Sequence, residues 1–234
     1  MPAASTSGSS DRRSPRAVAG FATLTVVLPI GSVAVMAMSL ERARRWTRGE
    51  YDRLISLGIF RPGEHLELLG GHLIVSEPQG SLHSAAVGLV DEALRACFGP
   101  GWAVRVQMPI ALDDESEPEP NVAVVVGTHR DYAAAHPTRA ALLVEVADSS
   151  LPDDRGTKAA LYARAGIADY WILNLVDRVL EVCRDPVTAA VQPFGWHYRE
   201  ITILRPGAAV APLSRPDARV DVTALLPPGG YYVR

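Results

Sequence analysis

"LLVEVADSSLPDDRGTKAALYARAGIADYWILNL", Leu142 to Leu175, is the stretch on which the fold turns. Ala141 to Ala147 is apolar except for Glu145, and the run that follows Asp169, Tyr170 to Leu175, is apolar again except for Asn174. Short apolar runs bounded by turn residues have the character of buried strands. Between them lies a loop with helix-start character, then an alanine-rich run from Thr157 to Ala165 that Gly166 closes, which reads as a helix crossing over the sheet.

Working upstream, "PEPNVAVVV" (Pro118 to Val126) places another buried strand at Asn121 to Val126, directly after the acids Asp113, Asp114, Glu115, Glu117 and Glu119. Apart from Asn121 at the junction, that acidic run reads as a solvated loop. "WAVRVQMPIAL" (Trp102 to Leu112) alternates like a half-buried strand. Ser81 to Phe98 reads as an amphipathic helix with Ala85, Leu89, Val90, Ala93 and Leu94 inward, closed by Gly99. "HLELL", the pair Gly70 and Gly71, and "HLIVS" form a hairpin, and Thr47 with Glu50 has capping-box spacing for a helix that ends at Gly58. Downstream, "RVLEVCR" (Arg178 to Arg184) and "EITIL" (Glu200 to Leu204) are further strands. The fold class is α/β, a mixed sheet with flanking helices.

The chain has 234 residues and a formal net charge of −3, so a globular core is expected and totals alone carry no strongly basic nucleic-acid footprint. Its two cysteines, Cys97 and Cys183, have no metal-ligand spacing and point to a reducing, cytoplasmic setting. Lys158 is the single lysine among 23 Lys plus Arg. Residues 1–40 form a leader: a Ser-, Pro- and Arg-rich start, then an uncharged segment at 17–40. Three readings of it stay open: an extension upstream of an ordinary start at Met38, a membrane anchor, or a signal peptide.

Glu145 stands where a carboxylate is costly unless paired or bound to metal, or unless its strand is an edge facing water. Asn121 begins the preceding strand, and Lys158 follows on the next helix with Asp154 four residues before it. An acid or amide at a strand start, an acid within a strand and a nearby lysine suit metal-dependent phosphodiester cleavage, with oxygen ligands for Mg²⁺ (or Mn²⁺) and a cation for the developing charge.

"RRWTRGEYDRL", "LELLGGHLIV", "SEPQGSLHS", "EPEPNVAVV", the Leu142 to Leu175 stretch and "RVLEVCRDP" together resemble the Uma-two family of restriction-endonuclease-like proteins, a branch of the PD-(D/E)XK nuclease superfamily. The resemblance runs from about Arg44 to the C-terminus, which makes 41–234 a single nuclease-like domain. It implies a restriction-endonuclease-like core acting on DNA with the metal at the strand ends. Asn121 falls where the family has a metal-binding aspartate, and Glu145 matches the second acidic ligand. Lys158 takes the place of the family's lysine, Glu67 matches an acid of the first hairpin, and His83 matches a histidine at the start of the long helix. An amide in place of aspartate weakens metal binding, and Glu119 lies one strand repeat (~6.5 Å) from the spot. Three functions remain: a metal-dependent endonuclease impaired by Asn121, an inactive nuclease-fold binding module, and a membrane-anchored protein of other function. Two-strand cutting by one small site favours a homodimer.

Overall fold

The computed structural model of the protein describes residues 44–76 and 78–228. The segment at 17–40 and its three readings lie outside the described residues. Helix α1 (Arg48–Ser56) begins at the expected capping box: the Thr47 side chain accepts from the Glu50 N–H while Glu50 reaches back to the Thr47 N–H. Strands β1 (Leu66–Leu69) and β2 (His72–Val75) pair antiparallel. Gly70 and Gly71, at φ 56° and 83°, supply the left-handed turn that a two-residue hairpin loop requires.

The main sheet contains β3 (Trp102–Val106), β4 (Val122–Val126), β5 (Leu142–Ala147), β6 (Asp169–Asn174), β7 (Val179–Thr188) and β8 (Trp196–Leu204), neighbours in that order. β5 and β6 run parallel, and the other neighbours run antiparallel. The parallel pair needs a crossover. It is made by α3 (Leu151–Asp153), a π-helical turn (Asp154–Lys158) and α4 (Ala159–Arg164) in unbroken succession. This crossover packs on one sheet face over Ala123, Leu143, Ala147, Tyr170, Ile172 and Cys183. The other face, with Val122, Val124, Val144, Val146, Trp171 and Leu173, is covered by α2 (Ser81–Phe98) and α5 (Val222–Leu225). A small pair, β9 (Ala209–Val210) and β10 (Val220–Asp221), completes the fold. Both faces of β5 and β6 are therefore buried, which is why their sequences are apolar runs without alternation.

The structure corrects several boundaries. β3 stops at Val106 instead of Leu112, because Gln107 turns out of the ladder at φ 49° and Ile110 and Ala111 bond to the carbonyls of Pro118 and Pro137. The crossover helix begins at Leu151, six residues before Thr157, with Pro152 in its first turn where a missing N–H costs nothing. The inward stripe of α2 is Ala86, Val87, Val90, Leu94 and Phe98, while Ala85 is exposed. The β7–β8 hairpin is longer than "RVLEVCR" and "EITIL", since Asp185 at φ 59° lets pairing continue past Arg184 to Thr188 and Trp196. Nor is the acidic run a solvated loop. Glu117 is buried and exchanges backbone hydrogen bonds with Leu68, Asp113 pairs with Arg164 and Glu115 with Arg45. Both cysteines are free thiols.

Candidate functional site

Register builds the site before any side chain is considered. Val122 pairs with Val144 and Ala123 with Leu143. One step further, Asn121 stands opposite Glu145, and the two project from the same face. The Asn121 N–H donates to Glu145 Oε2 at 3.1 Å. Glu145 is 2% exposed, so the water-facing edge position is excluded.

Its other oxygen, Oε1, accepts from Lys158 Nζ at 3.1 Å and from the Tyr162 hydroxyl at 2.7 Å. Lys158 Nζ also reaches Glu67 Oε2 at 3.2 Å. Glu67 is held from behind by the Ser76 hydroxyl at 3.1 Å and the Glu119 N–H at 3.2 Å. Glu67, Asn121, Glu145 and Lys158 thus meet in one hydrogen-bonded cluster. Glu119 joins through its backbone. Glu119 also lines a cavity of about 260 Å³ with Tyr51, Phe60 and His65.

The Asn121 amide is engaged at both ends. Its Oδ1 accepts from the Val146 N–H at 2.8 Å, and its Nδ2 lies 3.2 Å from His83 Nε2. Burial holds the His83 pKa below its usual value, which favours the neutral ring, and because an amide Nδ2 can only donate, Nε2 is the acceptor of this pair. His83 accordingly contacts the cluster from the first turn of α2.

Electrostatics follow from burial and crowding. Burial raises the Glu145 pKa, the Lys158 ammonium pulls it down and the Glu67 charge pushes it up; the net direction is upward. Burial also opposes the charge on Lys158, but Glu145, Glu67 and Asp154 outweigh it and the pKa rises. Asp154, buried and bonded to the Ser150 hydroxyl at 2.7 Å, is pushed up to about 7 by burial and by the charge of Glu145.

Two features escape a reading of the sequence alone. Tyr162 sits four residues after Lys158, a same-face spacing that could have flagged it, yet its neighbours Leu161 and Ala163 make it look like packing. The π turn that carries Lys158 leaves no periodicity signal, although such turns occur often at functional positions.

Among the described residues no three His, Cys, Asp or Glu side chains form a group that could hold a metal ion. The donor set is instead two carboxylates and an amide oxygen with a lone pair to spare. This chemistry fits a hard divalent cation such as Mg²⁺, which binds through one or two carboxylates and keeps several waters.

Comparison with known proteins agrees with the geometry. A solved structure described as a "putative nuclease belonging to DUF820" from Anabaena variabilis superposes with a TM-score of 0.57 at 14% identity, covering 73% of this chain and 94% of that one. At that identity the likeness establishes the fold. No curated protein matches significantly. The model of the Uma2 family, described as "Putative restriction endonuclease", matches residues 48–222, and the chain belongs to that family.

Proposed function

We propose that the protein is a metal-dependent nuclease that hydrolyses phosphodiester bonds of DNA. The convergence of Asn121 and Glu145, on adjacent strands, with Glu67 of the hairpin and Lys158 of the crossover carries this reading. Glu145, Glu67 and the Asn121 Oδ1 would hold Mg²⁺ or Mn²⁺. A divalent cation, when bound, acidifies water and draws negative charge off the phosphate.

The chain's own residues do the rest. Lys158, fixed between two carboxylates, keeps its charge and presents an ammonium where the phosphoryl oxygens become more negative as water attacks and the P–O bond to the leaving oxygen breaks. Tyr162 and the Asn121 N–H fix the rotamer of Glu145 from opposite oxygens. Asn121 lends an oxygen without charge, which lowers the affinity for the cation and makes turnover slow.

The decisive experiment is cleavage of DNA by the purified protein with Mg²⁺ or Mn²⁺. Wild type should nick or cut slowly, Glu145→Ala should abolish cleavage, and Asn121→Asp should raise it by about tenfold or more. No gain in Asn121→Asp would remove Asn121 from the metal site.

The engagement of Asn121 by Val146 and His83 favours one second reading, a nuclease-fold module that binds nucleic acid or protein without cutting. It predicts no wild-type cleavage with any divalent metal, together with gain in Asn121→Asp. Two-strand cutting would call for a homodimer, which light scattering of the protein on DNA measures.

A further inference from the structure

β3 carries another charged residue on the face that holds Asn121 and Glu145. Arg105 pairs with Ala123, so it is the diagonal neighbour of Asn121, at about 7–8 Å between backbones. It is 5% exposed. Its Nη2 donates to the Pro109 carbonyl at 3.2 Å, its guanidinium lies 5.6 Å from the Tyr132 ring centroid, and its Nε is buried with no partner.

Among the described residues Arg105 makes no ion pair. A guanidinium cannot shed its proton to escape burial as a lysine can, so the charge persists there uncompensated. The other charges of this region do not supply the missing anion. Burial, and after it the Arg105 charge, lower the His136 pKa; the two residues belong to adjoining segments, since Arg105 donates to the Pro109 carbonyl and the Ala111 N–H to that of Pro137, and the His136 side chain is 43% exposed. Glu117 is placed 4.0 Å from Arg48 Nε and 3.8 Å from His136 Nε2, and it faces those two groups. A buried arginine with an orphaned N–H and a fork suited to oxyanions, with an exposed imidazole on the adjoining segment, is a half-built anion site.

We infer that Arg105, with His136 of the adjoining segment, binds a backbone phosphate of the nucleic acid flanking the position of cleavage. The choice of a polynucleotide phosphate over free phosphate rests on the nuclease reading. The site fixes the register of the strand on the sheet and takes no part in bond breaking.

Binding is read by fluorescence anisotropy of a labelled DNA duplex titrated with the full chain in EDTA, at several salt concentrations. Arg105→Met, similar in volume, should weaken binding about tenfold and lower the slope of log affinity against log salt by about one. Its melting temperature should stay at or above that of wild type, since an uncompensated charge is removed. His136→Gln, at an exposed position, should weaken binding about threefold in a fully folded protein.

Unchanged affinity and slope in both variants would overturn the inference, and if Arg105→Met does not fold, unchanged binding by His136→Gln does so alone. Wild type that binds no DNA, or whose melting temperature rises with inorganic phosphate while DNA binding is absent, overturns it as well. Hydrolysis of the small diester bis(p-nitrophenyl) phosphate with Mn²⁺, and its loss in Glu145→Ala, tests the catalytic cluster separately, so the two failures are told apart.

Discussion

Tyr162 spends its only hydroxyl hydrogen on a buried carboxylate oxygen that Lys158 also contacts. A hydrogen bond to a charged, desolvated group contributes more than an ordinary one, so Tyr162→Phe should cost about 1.5–3 kcal/mol in urea denaturation. The same bond holds the Glu145 pKa down against burial, so its removal moves that pKa further up. Glu145 must be ionised to serve as a ligand, and the acid limb of the pH–rate profile should therefore shift to higher pH in Tyr162→Phe. A stability loss with an unmoved acid limb would make Tyr162 a packing residue only. Asn121 works differently, because its neutral amide can donate to a neutral His83 and accept from Val146 at once. A carboxylate there has no hydrogen for His83, and the imidazole must then protonate or turn over its tautomer.

At the scale of elements, the β1–β2 hairpin delivers Glu67 to the cluster, and its turn leaves no room for substitution. Gly71 has φ 83°, and a Cβ there would lie 2.9 Å from Arg45 side-chain atoms. Gly71→Ala should destabilise by about 1–3 kcal/mol on strain alone. Because β1 holds Glu67, the variant should also need more Mn²⁺ for half-maximal activity, whereas normal metal dependence would separate the hairpin from the site. The crossover makes the complementary delivery. Its π turn joins α3 to α4, and Lys158 at the end of that turn and Tyr162 within α4 both face Glu145.

For the whole molecule, the concentration of buried acids around one lysine sets a pH response. Burial, and after it the charge of Glu145, push the Asp154 carboxyl from its ordinary carboxylate range up to about 7. A raised carboxyl pKa means that the folded state holds more protons than the unfolded one, so stability from this group is full below about pH 4 and is lost as pH rises through about 7. Metal-free protein should thus lose stability between about pH 5 and about pH 8, and Asp154→Asn should flatten that loss and be the more stable form at about pH 8. Denaturation curves of both proteins at the two pH values check this; parallel curves would refute it. The response depends on the fold as a whole, since the crossover, β5 and the hairpin each contribute an acid to the same volume.

Much of the fold was legible along the chain. The capping box at Thr47, the glycine pair at 70–71, the unalternating runs of β5 and β6 and the single lysine each act through residues a few positions apart, and local chemistry specifies them. The family resemblance likewise singled out Glu67, Asn121, Glu145 and Lys158 from motif order. Their actual partnerships were decided only in three dimensions. Lys158 and Glu67 are 91 residues apart, and Asn121 and Glu145 are 24 apart. Which of them touch depends on strand register, on the π turn and on the packing of a hairpin against a crossover. The burial of Glu117, the hydroxyl of Tyr162 on Glu145 and the unpaired charge of Arg105 belong to the same class. Periodicity records which face a residue takes, while the identity of the group across from it is created when the chain folds back on itself.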